Sequence, residues 1–422
     1  MRKGFKNIKT AIRKRGIKWE VRILLLFLIV SFLAPVITNN KPIYCTIKGE
    51  THYPAIAELF GSTSATNIDG KLLTSNSDWN KLVYESVLWA PLKNGPQFND
   101  KANKDFQSPL SSSVDENKVS VGFRKQHLLG TNRQGNDVFS NLLGGIKYSL
   151  IIGVCAVLIA SLIGIFLGAI SGYYLNRFEM GRVQAVGIGL AIIPAWFYGF
   201  SVRSYSIADC FESSPLIGTM QLLLSLIIGI AVVIVLGWIG KKLDKKFKTK
   251  PFYLNIDGLI TGLTEVFSSV PRIILIVTIA AISGGKSTLV LILILGLTSW
   301  PAFARITRAE VMRLKQKPYV DSAIVLGVPD RKIISVHILK NALPTLVVGI
   351  AFGIGSVILV ESALSFLNIG VPDNTPTLGA ILRSGREHIQ AWWLIVFPGL
   401  AIFLLIYLFN RIGDKIAERA NT

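Results

Sequence analysis

Apolar residues in this chain come in long blocks and do not alternate with polar ones. Mostly apolar runs occupy Ile23–Thr38, Tyr148–Tyr174, Val183–Phe200, Leu216–Ile239, Val266–Ile282, Leu289–Ala304, Leu346–Val360 and Trp392–Phe409. A helix needs about 20 mostly apolar residues to cross about 30 Å of hydrocarbon, and the shorter runs have apolar flanks that extend them. The pattern predicts an all-α polytopic membrane protein with about eight crossings. Between the first two runs lies a polar stretch, 39–145, with turn signals at NSD (76–78), NGP (94–96) and SPLSSS (108–113). It is expected to be a small extracytoplasmic domain or elaborated loop, of a fold the pattern does not specify.

Composition agrees with a membrane protein. Of 422 residues, 51% are hydrophobic and 17% charged, too apolar for an ordinary soluble enzyme. The net charge of +20 sits beside the apolar runs: in the first 20 residues, in KKLDKKFKTK at 241–250, and from Arg305 to Lys340. The connection IADCFESSP at 207–215 is acidic instead. The positive-inside rule then puts the basic segments and both termini on the cytoplasmic side of the membrane. Lys and Arg form no single stripe, so nucleic acid is not the expected partner; membrane lipid is. FLAPVITNN offers no clear small-x-small cleavage site. Residues 1–20 therefore read as a basic cytoplasmic tail, 21–38 as a retained first transmembrane helix, and 411–422 as a cytoplasmic tail.

Candidate chemistry is sparse. GGKST at 284–288 ends like a nucleotide-binding loop, but the required earlier glycine is Ala280 and a long apolar stretch precedes it. It reads as a turn at Gly284 and Gly285 with Ser287 or Thr288 capping the next helix. Three cysteines make no disulfide framework. Cys155 reads as packing, and a Cys45–Cys210 bridge is an open option. His127 and His337 stand apart from any metal-ligand spacing, so no metal site and no catalytic residue is expected. Gly164, Gly168 and Gly172 repeat a small-xxx-small spacing that suits close helix packing. Glu265, near the cytoplasmic end of its helix, and Pro271, Pro301 and Pro398 are candidate gating positions, with the prolines as kinks. Glu361, at the outer end of its helix, is expected to orient the last external loop.

Residues 305–344 are too polar for lipid yet carry apolar residues at helical spacing: Val320, Ala323, Ile324 and Leu326. Pro318 suits a helix start, and Gly327 followed by Val328-Pro329 an end. A second short helix from Asp330 would turn Ile333, Ile334 and Val336 inward. Two such helices suit a partner's groove, or a loop lying on the headgroups.

In these residues the chain resembles the inner-membrane permeases of binding-protein-dependent ABC importers, closest to the second-permease type of the oligopeptide/dipeptide/nickel branch. Tyr319, Val320, Asp321, Ser322, Ala323, Gly327, His337, Ile338, Leu339 and Asn341 occupy places of that family's EAA loop, with Asp321 for glutamate, Ser322 for alanine and Lys340 for proline. HLLGTNRQGNDVFS from His127 is similar to the family's entry block through Gly130, Thr131, Gly135, Asp137, Val138 and Ser140. ESALSFLNIGVPDNTPTLGAILRSG from Glu361 is similar to its last hairpin.

The resemblance implies a six-helix type I permease core within 146–410, interrupted by an inserted transmembrane hairpin at 176–254. It implies that 305–344 couples to ATPases, with Tyr319, Asp321, Ser322, Ala323, Gly327, Asp330, Arg331, His337 and Asn341 as the coupling residues. Asp321, Asp330, Arg331 and Lys332 would meet a polar rim, while Ala323 and Leu326 pack in the groove. The implied partners are a second permease subunit, two cytoplasmic ABC ATPase subunits that hold the ATP and magnesium, and an extracytoplasmic substrate-binding protein. No cofactor is expected on this chain. Peptides are the expected cargo, with nickel or another small solute as the alternative. A self-contained carrier or channel would need paired midplane charges and an inverted repeat, neither of which is evident. A membrane-anchored receptor would place its function in 45–120.

Overall fold

The computed structural model describes residues 18–420, except 48, 60–65, 69–70, 74–78, 80–81, 83, 93, 97, 112, 114–125, 176–177, 214, 248–250, 283–285 and 374. Gly284, Gly285, the NSD turn, the end of the 241–250 basic run and most of the N-terminal tail lie outside the described residues. These residues divide into two compact units: Ala156–Ile350, and 18–155 with 351–420.

In the first unit the chain leaves α2 (Val138–Tyr174, following α1, Lys18–Phe32) and enters the insert. The insert is a helical hairpin with a strand clasp at its base. Strands Phe178–Gly181 and Pro251–Leu254 pair antiparallel, bringing Phe178 opposite Leu254. Between them run α3 (Arg182–Trp196), a π-helical segment Phe197–Val202, a helix Ser204–Ser213 and α4 (Pro215–Phe247). The hairpin closes tightly: a Cβ on Gly240 would lie 2.6 Å from Gln184 Cα. Asp244 accepts backbone bonds from Val183 (3.0 Å) and Gln184 (2.8 Å), serving the orphan donors of the first turn of α3.

After the clasp come α5 (Ile256–Ser269) and α6 (Arg272–Ile282), bent by 84° at Pro271. Proline has no N–H for the helical ladder and its ring clashes with the preceding turn, so the expected kink is a full break. Then follow α7 (Thr288–Lys315), α8 (Pro318–Val325), a three-residue turn from Asp330, a π-helical segment Ile333–Ile338 and α9 (Leu339–Phe366), which ends in the second unit. Ser287 stands at the N-cap of α7, but its side chain caps nothing. Pro301 lies inside α7 without ending it.

In the second unit, 39–137 holds a three-stranded antiparallel sheet in which Pro42–Ile47 is central, between Glu50–His52 and Ser86–Trp89. A further hairpin pairs Thr66–Ile68 with Lys71–Leu73. The unit also holds α10 (Leu378–Glu387) and α11 (Trp393–Ala420). The last helix continues through 411–420, and Pro398 does not interrupt it.

By length and composition, five of the described helices can cross a membrane, and the bent α5–α6 pair makes a sixth. The expected runs at 23–38 and 183–200 are shorter as helices. Each has a 15-residue helix, Lys18–Phe32 and Arg182–Trp196. The first ends at Leu33, beside Pro35, and the second gives way to the π-helical segment after Pro194. Among the described residues Cys45, Cys155 and Cys210 form no disulfide.

Candidate functional site

Residues 305–344 comprise the end of α7, a scaffolded loop over 316–338 and the start of α9. Pro318 opens α8, where its missing N–H costs nothing. The helix closes with paired backbone bonds, Gly327 N–H to Ile324 O (2.9 Å) and Val328 N–H to Ala323 O (3.1 Å). That is a Schellman cap, with Gly327 at φ +73°. A Cβ there would meet nothing within 4 Å, so conformation alone asks for glycine, and an L side chain would cost about 1–2 kcal/mol.

Beneath the loop lies a core of Val320, Ala323, Ile333 and Ile338 against Val311 and Leu314 of α7 and Ala169 and Tyr173 of α2. Ala323 is therefore buried in the chain's own core and is not available to a partner's groove. Val336 faces out, and Ile338 takes the inward place expected for it. The π-helical winding from Ile333 shifts the register on which the expectation rested.

Above this core Ile324, Val325 and Leu326 stand 46%, 86% and 80% exposed. Asp321, Ser322, Asp330, Arg331 and Lys332 are exposed around them, while His337 is half-buried. Ser322 Oγ donates back to Pro318 O at 3.0 Å. Asn341 Nδ2 donates to His337 O (2.6 Å) and to Tyr319 Oη (3.2 Å), joining the start of the loop to its end.

Two anchors escape the sequence reading. Tyr173 Oη, at the end of α2, donates to Asp330 Oδ1 at 2.7 Å, and Lys315 Nζ sits 4.9 Å over the Tyr173 ring. About two turns earlier on α7, Arg308 binds Asp257 through both carboxylate oxygens at 2.6 and 2.7 Å, with Ser171 donating to the same carboxylate. This bidentate pair ties α2, α5 and α7 together just before the loop. The clue available beforehand was a tyrosine pair and a lone aspartate at the ends of apolar runs.

Of the candidate gating residues, Glu265, Pro271 and Pro301 belong to the first unit and Glu361 to the second. Glu265 is exposed in the last turns of α5, beside the break at Pro271. Arg272, first in α6, is half-buried and donates to Ser299 Oγ at 2.6 Å, and its Nε has no partner among the described residues. In the second unit Glu361 is fully buried and accepts from Ser149 (2.8 Å) and Ser365 (2.8 Å). It fastens α9 to α2.

The entry block in the second unit is a buried polar knot. His127 lies between Asp137 (2.9 Å) and Asp100 (3.4 Å). Ser140 N–H donates to Asp137 Oδ2 at 2.8 Å, and Ser140 Oγ lies 2.6 Å from Asn94 O. Thr131 Oγ1 donates to Asn103 O, and the Thr131 carbonyl accepts from Trp393 Nε1. Gly135, at φ +84°, runs against Asp100, whose carbonyl oxygen would lie 2.1 Å from any Cβ. Burial alone would lower the His127 pKa, but its hydrogen bonds to the Asp100 and Asp137 carboxylates outweigh this and raise the value to about 9. Burial would raise the Asp100 carboxyl, but His127, Asn103 and the Ala102 N–H together hold it below the usual range. His127 thus belongs to packing, as its isolation in sequence suggested. Beside the knot opens a cavity of about 1130 Å³, lined by Lys101, Lys104, Arg133 and Arg383 with Asp105 and Asp373. Among the described residues no three His, Cys, Asp or Glu side chains could hold a metal.

Several of the described helices are long and apolar enough to cross a membrane, and the 318–341 segment carries an exposed apolar tip on a buried base. Residues 255–421 match the binding-protein-dependent transport system inner membrane component family. The chain is 32% identical over 244 residues to the oligopeptide transport system permease protein OppC of Haemophilus influenzae, covering 54% of this chain and 78% of that one. It is 24% identical over 410 residues to the inner membrane ABC transporter permease protein YejE of Escherichia coli, covering 95% and 91%. It is 35% identical over 205 residues to a putative peptide transport system permease protein of Brucella suis, covering 48% and 64%. The chain belongs to this family of ABC importer permeases. It is a multi-pass inner-membrane transport component, not an enzyme, and works with other ABC subunits.

Proposed function

We propose that this chain forms half of the translocation pathway of a peptide importer, completed by a second permease, two cytoplasmic ATPases and an extracytoplasmic binding protein. The observation that carries the reading is the 318–341 loop, whose tip of Ile324, Val325 and Leu326 is exposed while its base is locked in the chain's own core. A rigid base under an apolar tip transmits a push, whereas a soft loop would absorb it. Tyr319, Asp321, Ser322, Asp330, Arg331, His337 and Asn341 surround the tip, with Gly327 setting its turn and Ala323 supporting it from below. ATP and magnesium sit on the partner ATPases. Cargo follows from the relatives, several of which are named as peptide permeases. The charge pattern supports cytoplasmic termini, and eight crossings result if α1 and α3 span with their flanks. Glu265, Pro271, Pro301 and Glu361 are assigned to the moving parts of the pathway. The polar cavity beside the entry knot suits delivery of a water-soluble cargo.

The test is co-purification with the cognate ATPases. Leu326→Asp and Val325→Asp are expected to abolish association and peptide uptake while the chain still reaches the membrane. Undiminished association would sink the coupling assignment, as would ATP hydrolysis by the purified chain alone.

A further inference from the structure

The inserted hairpin lies outside the family match, which begins at residue 255, and nothing in the coupling loop or entry knot uses it. Among the five long candidate spans, its second long helix, α4, is the barest. In the most apolar stretch of Met220–Phe247 only 11% is buried, against 33–56% in the other four long spans. Successive helical residues turn by about 100°, which places Lys241, Lys245, Lys242 and Lys246 within an arc of about 140°. All four are exposed, and among the described residues none has a carboxylate partner within ion-pair reach. Asp244, the acid in their midst, points off this arc and bonds to the start of α3.

The same arc, followed down the helix, carries Met220, Leu223, Ile227, Ile234, Val235 and Trp238, every one of them exposed. From Ile227 to Trp238 is about 16 Å of rise, close to the depth of one leaflet. Trp238 stands at the boundary between the two zones, with Lys242 Nζ 3.7 Å over its ring, the level at which indoles settle in a bilayer. One helix face therefore presents a leaflet-long apolar stripe, an interfacial indole and four ammonium groups, in that order. Tight packing at Gly240 and the strand clasp hold this face rigid.

We propose that this face of α4 is a binding site for an anionic phospholipid. Its phosphate would be held by Lys241, Lys242, Lys245 and Lys246, its glycerol level set by Trp238, and its acyl chain laid along Ile234 and Ile227. Charge complementarity selects an anionic over a zwitterionic headgroup, and the stripe selects a lipid over a free anion. The site belongs to the hairpin alone and does not depend on cargo or on the coupling assignment.

The experiment uses the full-length chain, delipidated in mild detergent and titrated with phosphatidylglycerol or phosphatidylcholine, reading thermal stability and retained lipid by mass spectrometry. Phosphatidylglycerol should be retained and should stabilise; phosphatidylcholine should do neither. The preference should fade in high salt. Replacing the four lysines with glutamine should weaken retention by about tenfold or more, and the four arginine replacements should keep it. Trp238→Leu should lower retention with the lysines intact. If the glutamine variant fails to insert, the lipid and salt comparison on the unmodified chain still decides. Equal retention of the two lipids, or equal stabilisation by inorganic phosphate, overturns the proposal. So does undiminished phosphatidylglycerol on the glutamine variant.

Discussion

His127 is a residue whose protonation is set by its neighbours. A buried imidazole between two carboxylates is charged at neutral pH because Asp100 and Asp137 repay its lost hydration. With a folded-state pKa of about 9, above the ordinary 6.5, its contribution is complete below pH 6.5 and is lost as pH rises through about 9. Asp100 runs the other way. Its carboxyl is held below 3.8, so its contribution is present above that pH and is lost as pH falls. The knot around 94–141 should therefore resist limited proteolysis best between about pH 4 and 6.5 and open on the alkaline side. His127→Gln should lower resistance below pH 6.5 and flatten the alkaline limb. If wild type and variant open at the same alkaline pH, His127 is not the group responsible.

Helix contacts follow from where glycine removes a side chain. Gly164, Gly168 and Gly172 of α2 face α7: their Cβ atoms would fall 2.5 Å from Phe303 Cβ, 2.4 Å from Ala304 O and 2.7 Å from Arg308 O. The small-xxx-small series is thus used within the chain, as packing between two of its own helices. Gly168→Ala should destabilise the purified chain clearly in a thermal melt, because backbone cannot move aside. Gly262→Ala on α5, with open space around it, should be neutral or gain up to about 1 kcal/mol. Equal melts for the two would show that the α2–α7 approach is not tight. Local signals of this kind were readable in sequence: the apolar blocks, Pro318 opening α8, and Gly327 closing it. Long-range ones were not. Nothing in the apolar pattern says that Ser149 will meet Glu361, or that Tyr173 will reach Asp330 across 157 positions. The sheet of 42–89 was hidden for a related reason. Its strands are short, at most six residues, and only the central one is partly buried along its length, so no clean two-residue period survives. The π-helical turns at 197–202 and 333–338 break the helical period itself, which is why Val336 faces out where a regular helix would turn it inward.

At the scale of the whole chain, the insert reads as an addition closed on itself. Its two ends are neighbours, since Phe178 pairs with Leu254, and paired strand residues lie about 5 Å apart, little more than one peptide step. An element of this kind can be removed without pulling α2 away from α5, whose own tie runs through Ser171, Asp257 and Arg308, outside the hairpin. Replacing 178–254 with two glycines removes a helical hairpin and, if both its arms cross, leaves the orientation of everything downstream unchanged. The shortened chain should still insert, co-purify with the ATPases and support uptake. In the same preparation its preference for phosphatidylglycerol should be gone. Membrane insertion with lost ATPase association would mean that the hairpin braces the coupling loop and is no independent addition. Retained lipid preference would move the anionic site elsewhere on the chain. Because the two readouts fail separately, a single deletion variant tests both the autonomy of the hairpin and the lipid assignment.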